Sequence, residues 1–162
     1  MLSAILEVIK AIFGMGTNVK NIIDIIKQKR EQAEGVKRQI LYETLSNMTL
    51  IYTHYLKNKR DSKKIIEELK VEKLAKAIDE GFDLNNIKDG KINEEMVGDV
   101  GFLHNYIGYN CEAFLIQIRY HIDQLKLLPK LYNLKKTKEV NVKRRLENQG
   151  KRYILFTKFL DS

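Results

Sequence analysis

A thiol nucleophile needs a base within hydrogen-bond reach, and the single cysteine, Cys111, has His104 seven residues before it. On one helix that spacing separates two side chains by about 10 Å along the axis, too far to share a proton. Cys111 also falls inside an apolar stripe, where a thiol acts as a small core residue. The remaining histidines, His54 and His121, lie on other lines without an acidic cluster beside them. No Cys/His set has zinc spacing, and no Glu-x-x-His pair of the kind that builds a di-iron bundle occurs. A Gly-rich phosphate loop, a nucleophile elbow and a His-Glu-x-x-His motif are all missing from the sequence.

Small helical ribonucleases of the HEPN type carry an Arg followed several residues later by His. Here Arg119 and His121 are two apart, and no other Arg closely precedes a His. The sequence therefore predicts no catalytic residue, no metal and no cofactor, and a protein that is not an enzyme.

Charge points instead to recognition. The chain carries 29 Lys and Arg against 21 Asp and Glu, for a net charge of +8. From Lys126 to Lys158 there are eleven basic and two acidic residues, net +9, so the rest of the chain is nearly neutral. Lys135, Lys136, Lys138, Lys143, Arg144, Arg145, Lys151 and Arg152 are the candidate anion-binding residues, with Lys143-Arg144-Arg145 the most concentrated point. Aromatic residues, among them Tyr132, Tyr153 and Phe156, are interleaved with them. Such a surface engages the phosphates of nucleic acid, an acidic protein or anionic lipid head groups.

A third set of residues suggests a pocket. Asn105, Glu112 and Arg119 recur every seven residues, beside Gly101 and Gly108 at the same interval. On one helix these five would line a small-molecule site, with the glycines allowing close approach. Tyr106, Tyr109 and Tyr120 flank the same stretch and suit self-association as a homo-oligomer.

The elements that must position these groups read as helices. One Pro and nine Gly in 162 residues leave long uninterrupted stretches, and no alternating run bounded by turn signals marks a strand. Residues 2–13 form a short apolar helix stopped by Gly14 and Gly16. A second helix runs over about 18–56 with a weak point at Gly35, and a third, marked by Ile65, Leu69, Leu74 and Ile78, ends near Gly81. Asn93 caps a fourth, whose stripe Val97, Val100, Leu103, Ile107, Cys111, Phe114, Ile118, Ile122 and Leu125 ends before Pro129. A fifth starts near Thr137.

These features predict a single all-α domain over residues 1–162, an antiparallel bundle of four long helices plus the short apolar one. With 44% hydrophobic and 31% charged residues it reads as a folded cytoplasmic protein. The leading functional expectation is a binding module whose basic region, residues 126–158, engages nucleic acid or an acidic protein. One alternative is a membrane-active bundle in which helix 2–13 inserts while the basic helix docks on anionic lipid. Another is a small-molecule binder built on the Gly-rich fourth helix.

Overall fold

A computed structural model of the chain describes residues 16–132 and 141–162, with the side chains of residues 16–23 and 26 left aside. The expected helix 2–13 and three of the expected anion ligands, Lys135, Lys136 and Lys138, lie outside the described residues. The chain forms two compact units, residues 1–35 and 36–162. Among the described residues there is no strand, and the protein is all-α.

The first helix, α1 (Gly16–Thr49), runs without interruption through Gly35. It passes directly into a π-helical stretch, Leu50–Lys57, so the expected helix over 18–56 is present with its final turns wound wider. The stretch ends where Asn58 N–H donates to the Thr53 carbonyl at 3.1 Å.

The expected helix 65–78 is instead two helices, α2 (Ser62–Glu68) and α3 (Glu72–Asp79). Two buried residues of α1, Glu43 and Asn47, account for the break. Asn47 Oδ1 accepts from the Lys70 N–H at 2.8 Å, and Asn47 Nδ2 donates to the Lys70 carbonyl at 2.7 Å and to Tyr153 Oη at 2.9 Å. Both backbone groups of Lys70 are thereby taken out of helical pairing. The Glu43 carboxylate accepts from the Lys73 N–H at 2.9 Å and the Leu74 N–H at 3.3 Å, capping α3 from another element. Val71, at the N-cap position itself, offers no side-chain cap.

The expected helix 93–125 is divided more deeply. Asn93 does cap a helix, accepting from the Met96 N–H at 3.0 Å, but α4 spans only Glu94–Val97. Gly98 at φ 58° and Gly108 at φ 86° turn the chain in the left-handed region, where a side chain would be strained. Between them lies a 3-10 turn, Gly101–Tyr106. Asn110 then caps α5 (Cys111–Leu131), accepting from the Ala113 N–H at 2.9 Å. Pro129 lies inside the last turn of α5 rather than beyond its end.

The final helix, α6 (Val142–Asp161), is capped by Asn141, which accepts from the Arg144 N–H at 2.8 Å. It packs against α5, α4 and the π-helical stretch. Gly150 makes the last contact possible, because a Cβ there would sit 2.8 Å from Tyr52 Oη. The core of residues 36–162 is one cluster that includes Ile51, Ile65, Leu84, Phe114, Ile118, Leu146, Tyr153 and Phe156.

Candidate anion-binding surface

Lys126 and Lys130, at the start of the basic run, lie on α5; α6 carries the rest of its described part, and its 3.6-residue turn sorts those charges into two lines. Arg144, Lys151 and Lys158 recur every seven residues and are exposed, with Lys143 beside them. Arg145 and Arg152 form a second line, about 100° further round the helix. The two lines have different surroundings.

The outward row borders two depressions. A cleft of about 580 Å³ is lined by Lys143, Arg144 and Lys151 from α6 and by Asp99, Val100, Gly101 and Phe102 from the segment after α4. Glu147 also lines it and pairs with Lys143 at 3.8 Å. A neighbouring trough of about 270 Å³ has an apolar floor of Met96, Val97, Val100, Leu103, Ile154 and Leu155, with Lys151 and Lys158 at its margin.

Arg152, one of the candidate anion-binding residues, is 8% exposed. Its Nε–H donates to Tyr106 Oη at 2.7 Å, and its guanidinium carbon lies 5.2 Å from the Phe102 ring centre and 5.8 Å from that of Tyr106. Tyr106 Oη also meets His121 Nε2 at 3.2 Å. A guanidinium only donates, so Tyr106 Oη accepts from Arg152, and the direction of the Tyr106–His121 bond follows the imidazole tautomer. Burial, followed by the charges of Arg152 and Arg145, pushes the His121 pKa down to about 4. The ring is therefore neutral at pH 7.

The five residues expected to share a pocket are dispersed, because the left-handed glycines break the helix that would have aligned them. Gly101 lines the 580 Å³ cleft, and Asn105 is exposed on the 3-10 turn. Gly108 donates its N–H to the Ile92 carbonyl at 2.8 Å. Glu112 Oε2 accepts from Asn85 Nδ2 at 3.2 Å, and its N–H donates to Asn85 Oδ1 at 3.3 Å. Arg119 is paired with Asp79 at 2.8 Å and with Asp123 at 3.8 Å. These contacts join neighbouring elements, and Gly101 and Glu112 line different clefts.

Cys111 is fully buried, and burial pushes its thiol up to about 12, which leaves no thiolate for chemistry near pH 7. His104, on the separate 3-10 turn, is exposed and meets the Gly101 carbonyl through Nδ1 at 3.2 Å. Of the three tyrosines expected at a self-association surface, Tyr106 is buried and Tyr109 half-buried, while Tyr120 is exposed. No group of three or more potential metal ligands occurs among the described residues, and none of the described helices is long and apolar enough to cross a membrane.

Sequence reasoning passed over Glu43 and Asn47, and weighed His121 only as a metal ligand or ribonuclease histidine. The signal for the first two was two polar residues four apart within the stripe Ile40, Met48, Ile51. For His121 the signal was the seven-residue spacing of Arg145 and Arg152, which separates them from the outward row. Taken together, fold and surface define an all-α chain with cationic depressions along its last helix. No family model, no curated protein and no solved structure matches the chain, so the functional reading rests on its own residues.

Proposed function

We propose that the chain is a non-enzymatic, cytoplasmic helical-bundle binding module that docks an acidic, amphipathic segment of a partner protein along the outward row of α6. The observation that carries this reading is the apolar trough with Lys151 and Lys158 at its margin. An amphipathic peptide supplies apolar side chains for the floor and carboxylates for the lysines, so burial contributes affinity while charge sets register and on-rate. A nucleic-acid backbone fits less well. It has no apolar face to offer the trough, and Asp99 and Glu147 interrupt the cationic rim where phosphates would run.

The test is fluorescence anisotropy with two labelled probes of equal charge, an acidic peptide alternating Glu with Leu and Phe, and a single-stranded oligonucleotide. The peptide should bind more tightly and lose less affinity as salt rises, since part of its binding is apolar. Reversing Arg144, Lys151 and Lys158 to Glu should weaken it by about tenfold or more. Tighter binding of the oligonucleotide with a steep salt slope would replace the protein partner by nucleic acid. Peptide affinity unchanged by the triple reversal would remove the reading altogether.

A further inference from the structure

A smaller cleft of about 170 Å³ lies between α5 and α6, and of its lining residues Asn148 alone also borders the 580 Å³ cleft. His121, Gln124 and Leu125 line it from α5, and Arg145, Asn148 and Arg152 from α6. Leu125 apart, each of these side chains brings at least one hydrogen-bond donor. No carboxylate lines the cleft, and neither Arg145 nor Arg152 forms an ion pair among the described residues.

The state of Arg152 is the telling observation. More than nine-tenths of it is buried, yet its one hydrogen bond among the described residues is the Nε–H to Tyr106. A buried guanidinium without a counter-charge is costly unless something supplies one. Phenylalanine and tyrosine rings cover part of it, but they carry no charge. Its two terminal amino groups remain as donors at the wall of an open cleft. The second guanidinium, Arg145, stands one heptad away on the same line of α6.

We propose that this cleft binds a phosphate-type dianion, held by Arg145 and Arg152. Two guanidiniums carry two positive charges, which a dianionic phosphate balances, and their forked donors match its oxygens. The amides of Gln124 and Asn148 supply further donors at the wall. His121 contributes its Nδ1–H in the tautomer in which Nε2 accepts from Tyr106 Oη. A monoanion such as acetate balances half the charge and offers fewer acceptors, so it binds more weakly. The site does not depend on the outward row, and the two readings stand or fall separately.

The experiment titrates the full chain with inorganic phosphate at constant ionic strength set by chloride. Binding is followed by calorimetry and by the NMR resonances of the His121 ring and the arginine Nε–H groups. Saturable binding is expected, with shifts concentrated at His121, Arg145 and Arg152, and weaker binding of acetate. Arg145→Gln, at an exposed position, should weaken phosphate by about fivefold or more while the circular dichroism spectrum stays unchanged. Asn148→Asp, which places a carboxylate in the cleft, should weaken it at least as much. Lys151→Glu with Lys158→Glu should leave phosphate binding as it was. Phenyl phosphate binding as well as inorganic phosphate assigns the cleft to the terminal phosphate of a larger molecule; binding of inorganic phosphate alone assigns it to the free ion. Shifts that chloride reproduces, or affinity unchanged by both cleft substitutions, would mean an adventitious ion only and overturn the proposal.

Discussion

Two buried polar regions in residues 36–162 make an informative pair. Around Glu43 and Asn47, five hydrogen bonds tie two side chains to the backbone of residues 70, 73 and 74 and to Tyr153. The groups face fixed partners within the fold, and they shape the chain by ending one helix and starting another. Around Arg152 and His121 the bonds run side chain to side chain, through Tyr106, and stop at the wall of a cleft. Buried polarity that closes on backbone sets architecture, whereas buried polarity that ends in unspent donors leaves room for a ligand.

Substitutions sharpen this contrast. Asn47→Ala should have the largest effect, a loss of about 2–4 kcal/mol in urea unfolding, because it removes three hydrogen bonds and strands the Lys70 N–H and carbonyl. Glu43→Ala should cost about 1–2 kcal/mol as a lost cap, and Glu43→Gln less, since an amide oxygen still accepts from the first turn of α3. A cost for Glu43→Gln as large as for Glu43→Ala would show that the carboxylate's charge, not its geometry, does the capping.

The pH dependence of the two regions has opposite signs. Burial raises the Glu43 pKa above its ordinary 4.5, so the folded state holds that proton more tightly than the unfolded chain does. Its contribution to stability therefore declines as pH rises from about 4.5 through the raised value. His121 is lowered from 6.5 to about 4, so the unfolded chain takes the proton first, and stability declines as pH falls from 6.5 towards 4. Thermal melts at pH 7 and pH 5 should show a drop for the wild type that His121→Gln reduces by about 1 kcal/mol. The full linkage value does not apply to a ring half open to solvent. An identical drop in both proteins would place the titrating group elsewhere.

The smallest effect should come from the residue that looks most committed. Arg152→Met in phosphate-free buffer should remain within about 1 kcal/mol of the wild type, because an apolar side chain of similar length removes an unbalanced buried charge along with one hydrogen bond. It should also erase the stabilisation that added phosphate gives the wild type. A loss of several kcal/mol in phosphate-free buffer would make Arg152 a structural member like Asn47 and dissolve the contrast.

Much of the interior was legible from the sequence. Val97, Leu103, Cys111, Phe114, Ile118, Ile122 and Leu125 are buried as their periodicity predicts, although the helix expected to carry them is in three pieces. Periodicity reports which side chains are apolar on one side, and Gly98 and Gly108 change the path of the backbone without moving those side chains out of the core. The same break takes Asn105 off the line it was expected to share, while Glu112 and Arg119 stay seven apart on α5. The break at Lys70 was not legible, because Glu43 and Asn47 act across 23 to 31 residues of chain, and local pattern does not register partners so far away. The basic run was legible as charge, but not as two lines, until the phase of α6 was known.

The segment between Ile92 and Tyr109 carries one more consequence. Ile92 N–H donates to the Tyr109 carbonyl at 2.9 Å, and Gly108 N–H donates back to Ile92 at 2.8 Å, so the excursion is fastened at its base. Its tip, Asp99 to Phe102, forms one wall of the 580 Å³ cleft, and Asp99 and Gly101 there are exposed. Length changes at that tip are absorbed above the fastening, and α5 keeps its register below it. An insertion at the tip would therefore reshape the wall of the cleft while leaving the packing of the helices in place.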